Sequence, residues 1–486
     1  MRGVLVAILV LPAVAACLSL VPRPRVAQAA TVAASIGTFA LSLVMVGPAV
    51  DGAVSVGAWL RVDALSEVFL VAVAFVYATA AVYSVGYLRS EEGSEDFPRY
   101  ARRFYVGINL FAWSMLCVPI VNDLALVWVA IEITTVISAL LVAIENTDDA
   151  AEAAWKYILI ASVGLAVALL GTIFMYAAGS HVFGPAYEPY LTRLQAAAPA
   201  MPETLVKLAY VLAVLGFGTK MGLVPVHTWL PDAHAEAPTP VSAMLSGALL
   251  VVSFYAILRF HQVAVRALGP VFPRNVLLVF GVASLLLAAL FVLDQRNVKR
   301  LLAYSSVEHM GILAVGTAFG TPIALVGVLL HVLAHAAAKG TAFFGAGAFV
   351  RKFGTKSLGA IRGGIDVLPW SGSMFLLAVL ALSALPPFGI FRSEFLIVSG
   401  GLSGGQDAAA AILVVLVTIA FLGLASYGNR MTVLPAREGL ARGEVSLWMV
   451  VPMVAGILGL LLLGLHPPAE LLLLLQRGAA VIGGTR

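Results

Sequence analysis

Charge is scarce in this chain of 486 residues, because Lys, Arg, Asp and Glu together make up only 11% of it. A soluble domain carries about 25% charged residues. Hydrophobic residues make up 61%, and the mean hydropathy is +1.01. This composition excludes an ordinary soluble domain and predicts an integral membrane protein.

Cysteine is almost absent, since Cys17 and Cys117 are the only two and both lie in apolar runs. Two such cysteines form neither a disulfide framework nor a metal cluster. No Walker-type phosphate loop and no GxGxxG motif after a strand occurs, so ATP-driven transport has no support. The net charge of +4 is modest, and no basic stripe with interleaved aromatics predicts a nucleic-acid partner.

Fourteen apolar runs approach or exceed the ~20 residues that a membrane-crossing helix needs. We therefore expect an all-α integral membrane protein with about 14 transmembrane helices. The runs lie at residues 3–21, 31–50, 64–88, 104–120, 122–143, 155–178, 205–223, 240–259, 275–293, 300–318, 321–350, 370–400, 410–429 and 447–465. The first run also resembles a signal peptide, but an uncleaved helix is favoured because apolar spans continue throughout the chain.

The distribution of basic residues predicts the orientation in the membrane. Loops after odd-numbered spans carry 17 Lys or Arg, whereas loops after even-numbered spans, Arg259 included, and the C-terminus carry 7. Basic loops stay in the cytoplasm. We therefore expect the odd-numbered loops to be cytoplasmic and both termini to lie on the outer side of the cell membrane.

One stretch combines a charge with a break in a membrane helix: residues 216–240, GFGTKMGLVPVHTWLPDAHAEAPTP. Lys220 lies inside the seventh apolar run, and Pro225 follows it closely. A charge at the bilayer centre costs ~2.5–3.5 kcal/mol on insertion scales, so it normally faces a bundle interior or water. A broken helix is tolerated at that depth where it is buried or lines a cavity. We therefore predict that Lys220 lies on an ion pathway.

A second break is predicted in the twelfth span at Pro386-Pro387, five spans after the first. Two halves offset by an odd number of spans would be inverted in the membrane, a pattern typical of transporters. We accordingly divide the chain into four parts. These are residues 1–103 (helices 1–3), 104–272 (a first repeat, helices 4–8), 273–430 (a second, inverted repeat, helices 9–13) and 431–486 (helix 14 and the tail).

Glu132 lies in the middle of the fifth span. It is either a neutral acid bonded to a backbone carbonyl or a partner of Lys220, and we favour the pair. A nearby carboxylate stabilises the ammonium whereas burial destabilises it. A lysine held between these effects can take up and release a proton.

His331, His335 and Lys339 follow one another at intervals of four residues in the eleventh span. Residues at this spacing share one helix face, and the three extend over ~12 Å. Two histidines four residues apart can bind zinc. Because the third position is a lysine, we favour a proton relay and expect no metal.

Glu394, just past the second break, either forms a local salt bridge with Arg392 or acts as a terminal proton donor or acceptor. Glu308 is deep in the tenth span, whereas a bond to a backbone carbonyl would explain His309. The accessory candidates on the path are His227, Asp232, His234, Glu308, His309 and Arg392.

Four segments resemble the antiporter-like membrane subunits of respiratory complex I, Mrp-type cation/proton antiporters and group 4 membrane-bound hydrogenases. They are TKMGLVPVHTWLPDAHAEAPTPVSAML (residues 219–245), DQRNVKRLLAYSSVEHMGI (294–312), HVLAHAAAKGTAFFGAG (331–347) and PPFGIFRSEF (386–395). The SSVEHMGI segment and the eighth span look most similar to the hydrogenase-4 F-like subunit. The resemblance implies fourteen helices with two inverted five-helix repeats. It also implies a chain without a redox centre or cofactor that moves protons, or sodium, driven by electron transfer in partner subunits.

The resemblance also implies roles for single residues. Glu132 matches the fifth-helix glutamate, Lys220 the lysine of the broken seventh helix, His331, His335 and Lys339 the central relay, and Glu394 the terminal residue of the twelfth helix. One departure is Val251, which stands where many complex I members have a lysine. A path from Lys220 to Lys339 would therefore need water, His331 or another residue, and we predict a hydrated central cavity there.

Protons are expected to enter near Glu132 and Lys220, pass the central relay and leave by Glu394. The expected partners are other membrane subunits, a hydrogenase-like or complex I-like peripheral arm with iron–sulfur subunits, and the lipid bilayer. The alternatives are a subunit of an Mrp-type antiporter, the membrane subunit of an inorganic-carbon uptake complex, and a scaffold without transport.

Overall fold

A computed structural model describes residues 1–89, 92–93, 95–436 and 440–483. In these ranges, twenty α-helices account for nearly all of the regular structure. They are α1 (Arg2–Leu18), α2 (Pro24–Asp51), α3 (Ala64–Leu88), α4 (Phe97–Ile120), α5 (Leu124–Val142), α6 (Asp148–Phe183), α7 (Leu191–Ala197), α8 (Glu203–Met221), α9 (Trp229–Glu236), α10 (Thr239–Met244), α11 (Leu250–Leu268), α12 (Val271–Val292), α13 (Val298–Phe319), α14 (Pro322–Phe353), α15 (Gly364–Val367), α16 (Pro369–Leu382), α17 (Gly389–Ser403), α18 (Asp407–Thr432), α19 (Leu447–Leu465) and α20 (Ala469–Gly483). Arg437 and Arg486, which were counted in the loops, lie outside the described residues.

Within the described residues, eleven helical segments are long and apolar enough to cross a membrane, and α1 and α16 are shorter apolar helices. The chain is therefore a multi-pass membrane protein. A π-helical turn, Leu245–Leu249, joins α10 and α11 into one span, Thr239–Leu268, whose apolar window is entirely buried. This span lies beside α14 and α3 at the centre of the bundle.

Several helices begin where a side chain satisfies the free backbone N–H groups of the first turn. Asp63 accepts a bond from the Ser66 N–H at 2.9 Å, and the Asp123 carboxylate accepts bonds from two N–H groups of α5. The other caps of this kind are Thr147 on α6, Asn297 on α13 and Thr321 on α14. These polar residues therefore mark where the chain enters its membrane helices.

Three features differ from the sequence-based prediction. The β-hairpin Val54–Val56 and Leu60–Val62 precedes α3, so the described chain is not entirely helical. An additional helix, α20, follows α19. The eighth span continues to Leu268, so placing Arg259 in a loop was wrong. Arg259 is 3% exposed inside α11, because its guanidinium pairs with Asp63 at 2.7 Å and so tolerates burial.

Both predicted helix breaks are present. Helix α8 ends at Met221, and Gly222 adopts φ 87°, a conformation that favours glycine. Helix α9 resumes at Trp229, whose indole N–H donates to the Thr219 carbonyl at 2.8 Å and so ties the two sides of the break together. The second break separates α16, which ends at Leu382, from α17, which begins at Gly389.

Glycines allow α6 and α8 to pack closely. A Cβ atom on Gly216 would lie 2.4 Å from the Ala168 backbone nitrogen, and one on Gly164 would lie 2.5 Å from Thr219 Cβ. Small residues let membrane helices approach each other at the backbone. This contact fixes the end of α8 that carries Lys220.

Replacing Gly216 with alanine should therefore lower the free energy of unfolding by about 1–3 kcal/mol, because the added methyl group overpacks a contact with backbone atoms. Thermal unfolding in detergent measures the change. Gly459→Ala in α19 is the matched control, since nothing lies within 4 Å of its added Cβ. Equal melting temperatures for the two variants would contradict this account of the α6–α8 contact.

Candidate buried proton-transfer site

Lys220 is fully buried near the end of α8. Its ammonium donates hydrogen bonds to the Thr135 hydroxyl of α5, at 2.8 Å, and to the Tyr157 hydroxyl of α6. The Tyr157 ring lies 4.5 Å from the ammonium and the Trp229 ring 6.0 Å. Both distances are within the range of cation–π attraction. Hydroxyl and aromatic groups therefore form the immediate surroundings of Lys220.

Glu132 and Lys220, the favoured pair, are not in direct contact. Within the described residues no carboxylate lies within 4.0 Å of the Lys220 ammonium, and Glu132 accepts a bond from the Ser162 hydroxyl at 3.2 Å. The other Glu132 oxygen is buried without a hydrogen-bond partner. The physical reason is that Glu132 lies one turn before Thr135 on α5, where its carboxylate bonds Ser162 of α6 instead.

The central relay contains three histidines rather than two. A ring nitrogen of His309 in α13 lies 3.0 Å from one of His331 in α14, and the His309 and His335 ring centroids are 5.1 Å apart. Explaining His309 by a bond to a backbone carbonyl was therefore wrong, because His331 takes that place. The second His331 nitrogen lies 2.9 Å from the Ser393 hydroxyl of α17. This chain of contacts links α13, α14 and α17.

The predicted common face of α14 is confirmed, and α13 is the helix that covers it. His331 and His335 both contact His309, and the Lys339 ammonium donates to the Leu302 carbonyl at 3.0 Å. His309, His331, His335 and Lys339 are all fully buried. His335 also lies 3.2 Å from the Ser246 carbonyl in the π-helical turn, so the relay reaches the central span.

The three imidazoles are also the group, within the described residues, that could hold a metal ion. One nitrogen from each ring lies within 4.8 Å of the others. His331, however, already uses both ring nitrogens in contacts with His309 and Ser393. That arrangement favours proton transfer along the hydrogen-bonded rings over metal binding.

Glu308 and Glu394 are both buried, at 3% and 8% exposure. Glu394 directly follows Ser393, the partner of His331, and one of its oxygens is buried without a hydrogen-bond partner. Arg392 donates to the Gly464 carbonyl at 3.3 Å, and no Arg392–Glu394 salt bridge occurs in the described structure. The interpretation of Glu394 as one half of a local salt bridge with Arg392 is therefore wrong.

Two histidines follow the break after Lys220. His234 is fully buried, stacks on the Phe343 ring at 4.9 Å, and neither of its ring nitrogens has a partner. Phe343 lies one turn beyond Lys339 on α14. His227 faces the Tyr304 ring and has an unpaired Nδ1. His234 therefore keeps both ring nitrogens free of hydrogen bonds, and His227 keeps its Nδ1 free.

Asp232 has a different setting from the buried candidates. Its carboxylate pairs with Arg300 at 2.5 Å and with Lys156 at 3.5 Å, and its side chain is 26% exposed. These ion pairs attach α9 to α13 and α6. Lys156 precedes Tyr157, so α6 and α9 are joined both at the surface and beside Lys220.

The stretch between Lys220 and Lys339 contains Val251, which is fully buried. None of the five cavities described, whose volumes run from about 70 to 450 Å³, is lined by Lys220, Val251 or Lys339. The hydrated cavity stays a prediction. Ser246 and Ser306, whose hydroxyls lie 2.8 Å apart, provide polar groups close to this stretch.

Several residues of the site were missed from the sequence. Tyr157, Thr135 and Trp229 surround Lys220, while Ser246 and Ser393 bond the histidines. Hydroxyl and aromatic side chains are common in apolar helices and give no signal by themselves. The one available signal was that Trp229 directly follows the predicted break.

The fold and the buried row of Lys, His and Glu side chains define a multi-pass, antiporter-like membrane subunit. Residues 121–420 match the family described as NADH:quinone oxidoreductase/Mrp antiporter, transmembrane. Residues 51–101 match the family described as NADH-ubiquinone oxidoreductase (complex I), chain 5 N-terminus. The chain belongs to the NADH:quinone oxidoreductase/Mrp antiporter transmembrane family, which confirms the resemblance seen in the sequence.

Two relatives extend over most of the chain. A hydrogenase-4 component F homolog of Methylacidiphilum infernorum is 37% identical over 367 residues, covering 74% of this chain and 76% of that protein. The NADH-quinone oxidoreductase subunit N of Desulforudis audaxviator is 33% identical over 424 residues, covering 84% of this chain and 82% of that protein.

Solved structures share the fold at low identity. A chain of the archaeal membrane-bound sulfane sulfur reductase superposes with a TM-score of 0.86 at 20% identity, covering 98% of each chain. A chain of the Mrp complex from Dietzia sp. gives a TM-score of 0.84 at 21% identity, covering 99% of this chain and 97% of that one. Both are parts of multisubunit membrane complexes.

Proposed function

We propose that the chain is a proton-translocating subunit of a redox-driven membrane complex related to group 4 hydrogenases or complex I. The observation that carries this proposal is the row of buried titratable side chains, Lys220, His309, His331, His335, Lys339 and Glu394, each at most 8% exposed. A titratable residue inside a membrane bundle is energetically costly, so it normally marks an ion or proton path. The family membership and the hydrogenase-4 component F relative support a redox-driven complex.

The path begins near Lys220, continues through the three histidines and Lys339, and ends at Glu394. Glu132 acts near the first lysine without contacting it. His234 is an accessory group between Lys220 and Lys339, where Val251 stands in place of a lysine. It is buried, both of its ring nitrogens are unpaired, and it stacks on Phe343, one turn from Lys339. The coupling ion is a proton in this proposal.

The chain crosses the membrane fourteen times in two inverted five-helix repeats. The eleven long apolar segments, α1, α13 and the broken pair α16–α17 supply these crossings. The excess of basic residues in odd-numbered loops supports a cytoplasmic location for those loops in the cell membrane, with both termini outside. Moving Arg259 into the bundle leaves that asymmetry in place.

Purification in a gentle detergent, followed by mass spectrometry of the associated proteins, tests the proposal. We expect other membrane subunits together with hydrogenase-like and iron–sulfur subunits, and vesicles of that complex should take up protons when the electron donor is added. Small Mrp-type subunits with sodium-dependent proton movement would replace the proposal with an antiporter. A lone soluble zinc protein would replace it with inorganic-carbon uptake.

A further inference from the structure

The hydrogen bonds around Tyr157 have a fixed direction. The Ser138 hydroxyl donates to the Thr134 carbonyl at 2.5 Å, and its oxygen lies 2.7 Å from the Tyr157 hydroxyl. A carbonyl can only accept a hydrogen bond. Ser138 therefore donates to Thr134 and accepts from Tyr157, so the Tyr157 oxygen presents a lone pair to Lys220.

The hydrogen bonds of Thr135 have the same direction. Its hydroxyl donates to the Ile131 carbonyl at 3.3 Å, which leaves its oxygen free to accept from the Lys220 ammonium at 2.8 Å. Lysine in its charged form has three donors and no acceptor. Two accepting hydroxyls and an aromatic face 4.5 Å away stabilise an ammonium more than a neutral amine, because charge-assisted hydrogen bonds are stronger and the ring attracts only the cation.

We propose that Tyr157 is a positioning residue for proton transfer at Lys220: its hydroxyl, oriented by Ser138, stabilises the charged lysine by direct contact, while the Glu132 carboxylate of α5 acts on it without contact. The proposal rests on the proposed function, because it takes Lys220 as a group that gains and loses a proton. Trp229 completes the arrangement, since its ring lies 4.5 Å from that of Tyr157 and its indole holds the end of α8.

Replacing Tyr157 with phenylalanine keeps the aromatic ring and removes the acceptor. The charged lysine loses one hydrogen bond, so the pH profile of coupled proton uptake in vesicles of the purified complex should move toward lower pH by about one to two units. Ser138→Ala should move the profile in the same direction by less, because the tyrosine hydroxyl remains but is no longer oriented.

Tyr210→Phe is the matched control. Tyr210 is also fully buried, but it lies ten residues before Lys220 on α8 and contacts His261 at 2.8 Å. Its substitution should leave the pH profile unchanged. A merely structural role for Tyr157 would lower the amount of assembled complex without moving the profile of what remains.

Two outcomes separate this inference from the proposed function. Wild-type pH profiles in both Tyr157→Phe and Ser138→Ala, together with loss of uptake in Lys220→Ala, would overturn the role of Tyr157 alone. Full uptake in Lys220→Ala would instead overturn the proposed function. If Tyr157→Phe does not assemble, the profile of Ser138→Ala decides the question.

Discussion

Replacing Lys220 with alanine should reduce coupled proton uptake to the background of protein-free vesicles while the complex still assembles. The reason is chemical: a methyl group cannot carry a proton between the α5–α6 side of the bundle and the central relay. Assembly should persist because the substitution removes a buried charge whose burial is costly by itself. Proton uptake in reconstituted vesicles, with subunit composition checked by mass spectrometry, measures both effects.

Lys207→Ala provides a control on the same helix. Lys207 has a 44% exposed side chain and pairs with Glu203 at 3.0 Å near the start of α8. An exposed pair of this kind contributes about 0–1 kcal/mol, and the residue lies away from the buried row. Uptake in Lys207→Ala should match the unaltered protein. Uptake at the unaltered rate in Lys220→Ala would contradict the assignment of Lys220 to the path.

The surroundings of Lys220 show what the sequence could and could not predict. A lysine in an apolar run followed by Pro225 was enough to predict a buried charge and a broken helix, because both are local properties of the chain. Tyr157 is 63 residues away in sequence. Which of many hydroxyl groups meets the lysine depends on the packing of α6 against α8, which close glycine contacts set and hydropathy does not record.

The histidine cluster could likewise be predicted only in part. The spacing of His331 and His335 was sufficient to place them on one face of α14, since helical geometry fixes that relation. The contribution of His309 depends on the height at which α13 lies against α14, which no periodicity in either helix reveals. Local geometry was therefore predictable, whereas the alignment of neighbouring helices required the structure.

Arg259 was misplaced for a related reason. An isolated arginine normally marks the end of a membrane span, so the eighth span was ended at that residue. In the structure its guanidinium donates to the Asp63 carboxylate at 2.7 Å and to the Ser66 hydroxyl at 2.9 Å. The compensating charge comes from the start of α3, 196 residues away in sequence.

Replacing Asp63 with alanine should lower the free energy of unfolding by about 3–5 kcal/mol, because it leaves the guanidinium buried without its charge partner. The Arg259 and Asp63 side chains are only 4% and 17% exposed. Loss of the cap on α3 adds about 1 kcal/mol. Thermal unfolding in detergent should show the fall, whereas Glu203→Ala, which breaks an exposed pair, should cost about 0–1 kcal/mol.

The pair also predicts a dependence on pH. Burial raises the pKa of the Asp63 carboxyl and the adjacent Arg259 guanidinium lowers it, and the net effect is a pKa below the ordinary value. A lowered carboxyl pKa contributes stability that is present above the ordinary carboxylate pKa of about 4 and is lost as pH falls below it. The Asp63→Ala variant should lack this acid-dependent loss.

Removing both charges separates pairing from capping. In Asp63→Ala combined with Arg259→Met no unpaired charge remains, so most of the loss seen in the single variant should be recovered, because replacing a whole buried pair by apolar groups is often close to neutral. About 1 kcal/mol should stay missing, since α3 still lacks its cap. A double variant as unstable as Asp63→Ala alone would show that the aspartate acts through the helix start, and that the burial of Arg259 depends on contacts other than this ion pair.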